Sequence, residues 1–395
     1  MTGYTRRGFL KAAGAAGCLA HGALAFGADE RPTGGNNGPR PETPIGWAEI
    51  EKFFVPPAEF QGKFGPYRSV MRLDDGGEVR KPEDWPRRRQ EILKYWHGVM
   101  GPWPAPIDRP RIKYKAKQRV ESFTRHAVEV EVAPGRLIGT QYLLVPDGAG
   151  PFPGVVVTWY NSEDSAGMTA KYRGVVDFGH QLARRGFVAL CLGNTGKGEG
   201  IQPLSYLAYT AANARNAVAA LDEVDGRRIG VVGHSFGGKW AMFASCLCDR
   251  FACGVWVDPG IVWNEKDPNA NYWEPWYLGF DKDLKRQREP GVVAAANPRT
   301  GAYKTLVEAG RDMHELHALM APRPFLVSGG AQDRPVHWLA LNHTIAVNKF
   351  LGCDRRVAMT MRAGHNPTPE SNAQVYAFFE HFLKEARTPQ TTAPA

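Results

Sequence analysis

The residues Val231-Val232-Gly233-His234-Ser235-Phe236-Gly237-Gly238 decide how the chain is read. They place Gly-x-Ser-x-Gly directly after an apolar run, Arg228 to Val232, that reads as a buried strand, and directly before Lys239 to Ser245, which reads as a helix. A serine hydroxyl is a poor nucleophile until it is lifted clear of the backbone, given a base, and set where backbone N–H groups can meet an oxyanion. A sharp strand-to-helix turn at the top of a parallel sheet does this, and the strained serine needs small neighbours two residues to either side, here Gly233 and Gly237. A glycine-rich turn with an incidental serine is the competing reading, so the flanking chain has to supply the partners.

Around the motif the chain alternates between apolar strands and helices. Upstream lie the strand Gly154 to Trp159, a helix around Val175 to Arg185, the strand Gly186 to Cys191, and a helix from Leu204 to Glu223. Downstream, Ala252 to Asp258 is another strand, after which the alternation stops. Residues 259–313 hold Trp263, Tyr272, Trp273, Trp276, Tyr277 and Phe280 among prolines, asparagines and charges, and read as an insertion. Insertions at the carboxyl ends of such strands tend to roof the site. The pattern returns with Glu315 to Met320, the strand Pro324 to Ser328, a helix from Trp338 to Leu351, the strand Arg356 to Met361 and a helix from Glu370 to Lys384. Continuous apolar strands alternating with helices imply an α/β fold, a mostly parallel sheet covered on both faces. Three more strands, Arg111 to Val120, Ser122 to Val132 and Arg136 to Val145, are expected to be antiparallel at its N-terminal edge.

The first residues, Thr5-Arg6-Arg7-Gly8-Phe9-Leu10-Lys11, match a twin-arginine export signal, with Ala23-Leu24-Ala25 as a cleavage site, so residues 1–28 are expected to be removed. This implies the twin-arginine machinery as a partner and a periplasmic or secreted product. Ala16-Gly17-Cys18 leaves lipid attachment at Cys18 open. Residues 29–110 are expected to be a flexible leader and an extension carrying one amphipathic helix from Pro82 to Val99. The catalytic domain is expected at 111–386. At 395 residues the chain has room for one large domain, and it contains no apolar run of membrane-spanning length. Removing Arg6, Arg7 and Lys11 reduces the net charge of +9 to +6. That mild excess is scattered apart from Arg87-Arg88-Arg89, which reads as the solvated face of a helix, so no nucleic-acid partner is expected. Cys191, Cys246, Cys248, Cys253 and Cys353 are an odd set read as core thiols.

A serine nucleophile at this turn needs an acid after a later strand and a histidine after the last, in that order. Asp333, in Gly329-Gly330-Ala331-Gln332-Asp333, and His365, in Ala363-Gly364-His365-Asn366-Pro367, meet the requirement. Ser235, Asp333 and His365 are the expected triad. His365 takes the serine proton and passes it to the leaving group, and the acid fixes the imidazole tautomer. Asp258, ending the strand before the insertion, competes for the acid role. The expected oxyanion donors are the backbone N–H groups of Phe236 and of Asn161 or Tyr160. His234 is expected to pack below the nucleophile. His314-Glu315-Leu316-His317 lacks the zinc-protease spacing, and Gly193 to Gly198 lacks the Ser or Thr that a phosphate loop needs after Lys197. No metal and no cofactor is implied.

With these residues placed, the region 111–386 resembles the α/β-hydrolase superfamily. Within it, Leu316-His317-Ala318-Leu319-Met320-Ala321-Pro322-Arg323-Pro324 and Lys239, four residues after the serine, look like the carbohydrate esterases, a group that includes acetyl xylan esterases and glucuronoyl esterases. Glucuronoyl esterases carry Gly-Cys-Ser-Arg-x-Gly-Lys. Here Lys239 matches and Phe236 replaces the arginine, which argues against that subgroup and leaves the broader likeness standing. The resemblance implies a serine esterase acting on acylated carbohydrates, with Lys239 holding a sugar hydroxyl and with Trp273 and Trp276 of the insertion stacking on a sugar ring. A prolyl-oligopeptidase-type peptidase shares the triad order but needs a propeller upstream, and only about 110 residues precede the sheet. A hydrolase fold that binds without turnover is the remaining alternative.

Overall fold

The computed structural model describes residues 46–385. The expected signal segment 1–28, Cys18 and the expected leader lie outside them. Nine strands form a single sheet: β1 (Ile112–Val120), β2 (Phe123–Ala133), β3 (Arg136–Pro146), β4 (Phe152–Thr158), β5 (Val188–Leu192), β6 (Val224–His234), β7 (Cys253–Val257), β8 (Phe325–Gly329) and β9 (Val357–Met361). Their order is β1-β2-β3-β5-β4-β6-β7-β8-β9. The first three pair antiparallel, β3 meets β5 antiparallel, and from β5 to β9 every pairing is parallel. This is the expected α/β-hydrolase architecture, with the antiparallel ribbon on the N-terminal edge.

Successive strand side chains point to opposite faces, and here both faces are buried. Val155, Val157 and Val232 pack on one side with the helices Phe178–Arg184 and Pro369–Glu380. Val156 and Val231 pack on the other with the helices Pro203–Ala219 and Phe236–Leu247. Burying each such side chain contributes about 1.5–3 kcal/mol, which is why uninterrupted apolar runs mark these strands. The helix expected to run to Glu223 stops at Ala219, because Val224 already pairs with Phe152 as the first residue of β6.

The extension packs on the domain through its helix Trp85–Met100. Arg88, expected on a solvated face, is fully buried. Its guanidinium donates to Val70 O at 3.0 Å, to Asp74 at 2.9 Å and to Glu91 at 3.1 Å. These bonds engage Nε and Nη1 and offset part of the cost of burying the cation, while the buried Nη2 makes no hydrogen bond among the described residues and lies 3.9 Å from Glu315 Oε1. Nearby, Trp96 Nε1 donates to Glu315 at 3.0 Å and Arg311 to the same carboxylate at 2.9 Å. Among the described residues the cysteines are all free thiols. No helix among those residues is long and apolar enough to cross a membrane.

Candidate active site

In the parallel half of the sheet, one row of paired residues runs Thr158, Gly233, Trp256, Val327, Met359. Ser235 and Asp258 each lie two residues beyond this row, on adjacent strands, so both emerge at the same carboxyl edge. Ser235 sits at φ 53°, ψ −113°, left-handed backbone that an L-residue adopts at a cost of about 1–3 kcal/mol. Close packing keeps it there. A Cβ on Gly233 would come within 2.2 Å of Gly237 O, and one on Gly237 within 1.9 Å of Thr158 O. The hydroxyl of Thr158 donates to Gly237 O at 2.8 Å, and Ser235 N donates to Val257 O at 2.9 Å. The end of β4 is thereby pressed against the start of the helix Phe236–Leu247.

That contact carries the loop after β4 to the nucleophile. The Tyr160 ring stacks on Phe236 with centroids 4.6 Å apart and planes 22° apart. The N–H of Phe236 opens the helix and has no intrahelical acceptor. Among the described residues, neither Tyr160 N–H nor Asn161 N–H meets a protein acceptor. Asn161 spends its side chain capping the next turn, its Oδ1 accepting from Asp164 N at 3.0 Å. Both candidates for the second oxyanion donor therefore remain open beside Phe236.

His365 follows β9, and its Nδ1 lies 2.7 Å from Asp258 Oδ2. The structure therefore brings Asp258, not Asp333, to the histidine, against expectation. Asp258 is fully buried at φ 50°, and its carboxylate also accepts from Gln332 N at 3.1 Å and Asp333 N at 2.8 Å. Asp333, equally buried, faces the other way. It accepts from Gly260 N at 3.0 Å and Ile261 N at 2.6 Å, and it lies 3.2 Å from His337 Nδ1. Each aspartate thus ties down the loop that carries the other. The reason is geometric: Asp258 leaves its strand in the left-handed conformation, which turns its carboxylate toward the His365 loop.

Two residues that sequence reasoning did not assign to the site hold the His365 loop. His234, buried beneath, keeps its imidazole well below the ordinary histidine range, through burial first and the neighbouring His365 and Arg362 second. In its neutral form Nε2–H donates to His365 O at 3.0 Å, and the ring stacks on Trp159. Arg362 donates to His365 O at 2.5 Å, to Asn366 O at 2.9 Å and to Ser328 O at 2.9 Å, and it lies 4.0 Å from Asp258 Oδ2. His234 carried a sequence signal, its place next to the nucleophile. Arg362, one residue past the last strand, carried none.

Two of the three expected substrate contacts are committed elsewhere. Lys239 is 2% exposed, with Nζ donating to Pro259 O at 2.6 Å and Asn269 O at 3.2 Å over the Tyr272 ring. Burial pulls its ammonium down to about 8, an effect opposed by Asp333, Asp258 and Asp267. The lysine fastens the insertion from beneath instead of reaching substrate, because the chain after Asp258 turns straight over it. Trp273 is 1% exposed and donates to Gly291 O at 2.7 Å, so it packs inside the insertion. Trp276 is half-buried beside Tyr277.

Residues 159–378 match the model of a family described as the alpha/beta hydrolase family. The chain belongs to that family. Among solved structures it is similar to a glucuronoyl esterase from Solibacter usitatus (TM-score 0.61, 19% identity, covering 80% of this chain and 97% of that one). It is also similar to a carbohydrate esterase family 15 glucuronoyl esterase from Caldicellulosiruptor kristjansonii (0.58, 18%, 85% and 97%). A third similar structure is a glucuronoyl esterase from Sporotrichum thermophile (0.53, 20%, 82% and 89%). At these identities the likeness is one of fold. No curated protein matches the sequence. The expected superfamily is thus shown, and its turn carries Ser235 where the sequence placed it.

Proposed function

We propose that this alpha/beta hydrolase is an exported serine esterase acting on carbohydrate-derived esters through Ser235, His365 and Asp258. The observation that carries the reading is the pairing of a serine held at φ 53° with a histidine loop whose Nδ1 lies 2.7 Å from a buried carboxylate. His365 Nε2 takes the proton as Ser235 Oγ bonds to the ester carbonyl carbon, and the oxyanion forms against the N–H groups of Phe236 and the loop after β4. Return of that proton to the leaving oxygen releases the alcohol and leaves an acyl-enzyme. Water, deprotonated by the same histidine, then releases the acid. Asp258 orients the imidazole and stabilises its charged form. The carbohydrate part of the reading is supported by the fold shared with glucuronoyl esterases and by the sequence features Lys239 and Leu316 to Pro324. Lys239 supports it as a sequence likeness only, since its ammonium is turned inward.

A fluorophosphonate probe tests the nucleophile. Labelling of the wild type and loss of labelling in Ser235→Ala are expected, and an unlabelled, correctly folded wild type would sink the catalytic reading in favour of a binding protein. Export is tested separately by Arg6→Lys with Arg7→Lys, which should trap the protein in the cytoplasm; normal export of the double variant would end the twin-arginine assignment.

A further inference from the structure

Resting on the serine-esterase reading, we propose that Gln332 is a positioning residue for the hydrolysis, holding the acid Asp258 with its backbone and the insertion with its side chain. The turn at residues 267–269 then acts as a strut that fixes where the acid stands relative to the nucleophile helix.

The backbone half of this coupling is a tight stack of loops. Gln332 N donates to Asp258 Oδ1 at 3.1 Å and lies 3.2 Å from Oδ2. Two residues earlier, a Cβ on Gly330 would come within 2.3 Å of Gly364 O and 2.9 Å of Asp258 Oδ2. The stretch Gly330 to Gln332 is therefore wedged between the acid and the loop that carries His365. In packing this close, a shift of that stretch is passed on to one or the other.

The side-chain half reaches the opposite way. Gln332 is 5% exposed, and its amide meets two residues of the insertion, Asp267 and Asn269, on either side of Pro268. Nε2 lies 2.9 Å and 3.0 Å from the Asp267 oxygens, and Oε1 accepts from Asn269 Nδ2 at 3.2 Å. The other amide orientation would set Oε1 against a carboxylate and Nε2 against an amide nitrogen, so the partners decide which end is which. The turn is braced in itself, Asp267 Oδ1 accepting from Asn269 N at 3.1 Å. It is also tied from beneath, where Asn269 O accepts from Lys239 Nζ at 3.2 Å. Residues 267–269 are thus anchored to the nucleophile helix through Lys239 and to the acid through Gln332. Hydrogen bonds from a nearly buried amide to an ionised carboxylate are strong and directional, which suits them to carry position.

The test measures kcat and KM on one activated phenyl ester in the wild type, Ser235→Ala, Gln332→Met, Gln332→Glu, and Gln332→Glu combined with Asp267→Asn, each checked for folding by thermal melting. Gln332→Met keeps the length and removes both hydrogen-bonding ends. Its kcat is expected to fall roughly tenfold with KM changed little. Gln332→Glu sets one carboxylate against another and is expected to lose roughly tenfold to a hundredfold in kcat. In the double variant the new carboxylate accepts from the new amide at the wild-type net charge, and kcat should return to within about threefold of the wild type. A folded Gln332→Met or Gln332→Glu that keeps wild-type kcat, whatever its melting temperature, or a loss in Gln332→Glu that Asp267→Asn does not recover, overturns the positioning role and leaves the esterase reading intact. Absence of Ser235-dependent turnover in the wild type overturns both.

Discussion

The loops after β7 and β8 are near mirror images. Each begins at the carboxyl edge of the sheet, each carries a fully buried aspartate, and each aspartate accepts two backbone N–H groups from the other loop. Only one of them reaches the histidine. Asp258 turns through positive φ at the strand end, and its second oxygen meets His365, whereas Asp333, deeper in its loop, meets His337 and the start of the insertion. Two carboxylates of equal burial and similar hydrogen-bond count thus divide into one that faces the chemistry and one that faces the roof. Burial and charge alone do not mark a triad acid; the direction in which the strand ends does.

The comparison breaks most sharply at Asp258. Asp258→Asn is expected to lower kcat by about four orders of magnitude with the fold retained, because the amide can favour the wrong imidazole tautomer. Asp333→Asn is expected to lower kcat by about tenfold at most. Its main effect should be on stability, a loss of about 3 kcal/mol, since the new amide N–H would face Gly260 or Ile261 N–H and leave buried donors unpaired. Turnover of the two variants on one activated ester, with denaturant melts, decides between them. If Asp333→Asn loses more turnover than Asp258→Asn, the assignment of the two loops is reversed.

Arg362→Met probes what the two loops share with the last. Its guanidinium ties His365 O, Asn366 O and Ser328 O together beside Asp258. Losing it should cost roughly tenfold to a hundredfold in kcat with KM changed little, because the histidine is displaced while the rest of the site is untouched. An unchanged kcat would mean that His234 Nε2 alone suffices to hold the loop.

Much of this was legible in the sequence, for a physical reason. Strands buried on both faces must be apolar throughout, so Val155 to Val157, Val231 to Val232 and Cys253 to Val257 announced the parallel sheet, and Gly233 and Gly237 announced the close approach around Ser235. Strand order along the chain then placed His365. The acid was not legible, because Asp258 and Asp333 both lie in loops that follow neighbouring strands and chain order permits either; the φ of Asp258 that decides it is a property of the assembled sheet. Lys239 misled for a related reason. A cation one turn past the nucleophile reads as available, and only the path of residues 259–269 over it, a non-local fact, shows its ammonium capped by carbonyls. Arg88 misled in the same way, its acceptors at Val70 and Asp74 being invisible to helix periodicity.

The smallest expected effect concerns the cation between the two loops. Lys239 Nζ donates to Pro259 O, the residue separating Asp258 from the Gly260 N–H that Asp333 binds, and both carboxylates oppose the burial that lowers its ammonium to about 8. In the unfolded chain that ammonium titrates near its ordinary value of about 10.4. Between these two values the unfolded chain holds more of this proton than the folded one, so this group's contribution to stability rises with pH across the window and is least favourable below 8. Lys239→Met removes the titration. The stability of the wild type relative to Lys239→Met should therefore increase from pH 7.5 to pH 9.5 by on the order of 2 kcal/mol, measured by denaturant unfolding of both proteins at each pH. Subtracting the variant cancels the other titrating groups and the pH-independent loss of the Pro259 contact. A difference that stays flat, or falls, would mean that the ammonium between the two aspartates is held charged throughout, and that the loops are joined by a permanent ionic centre.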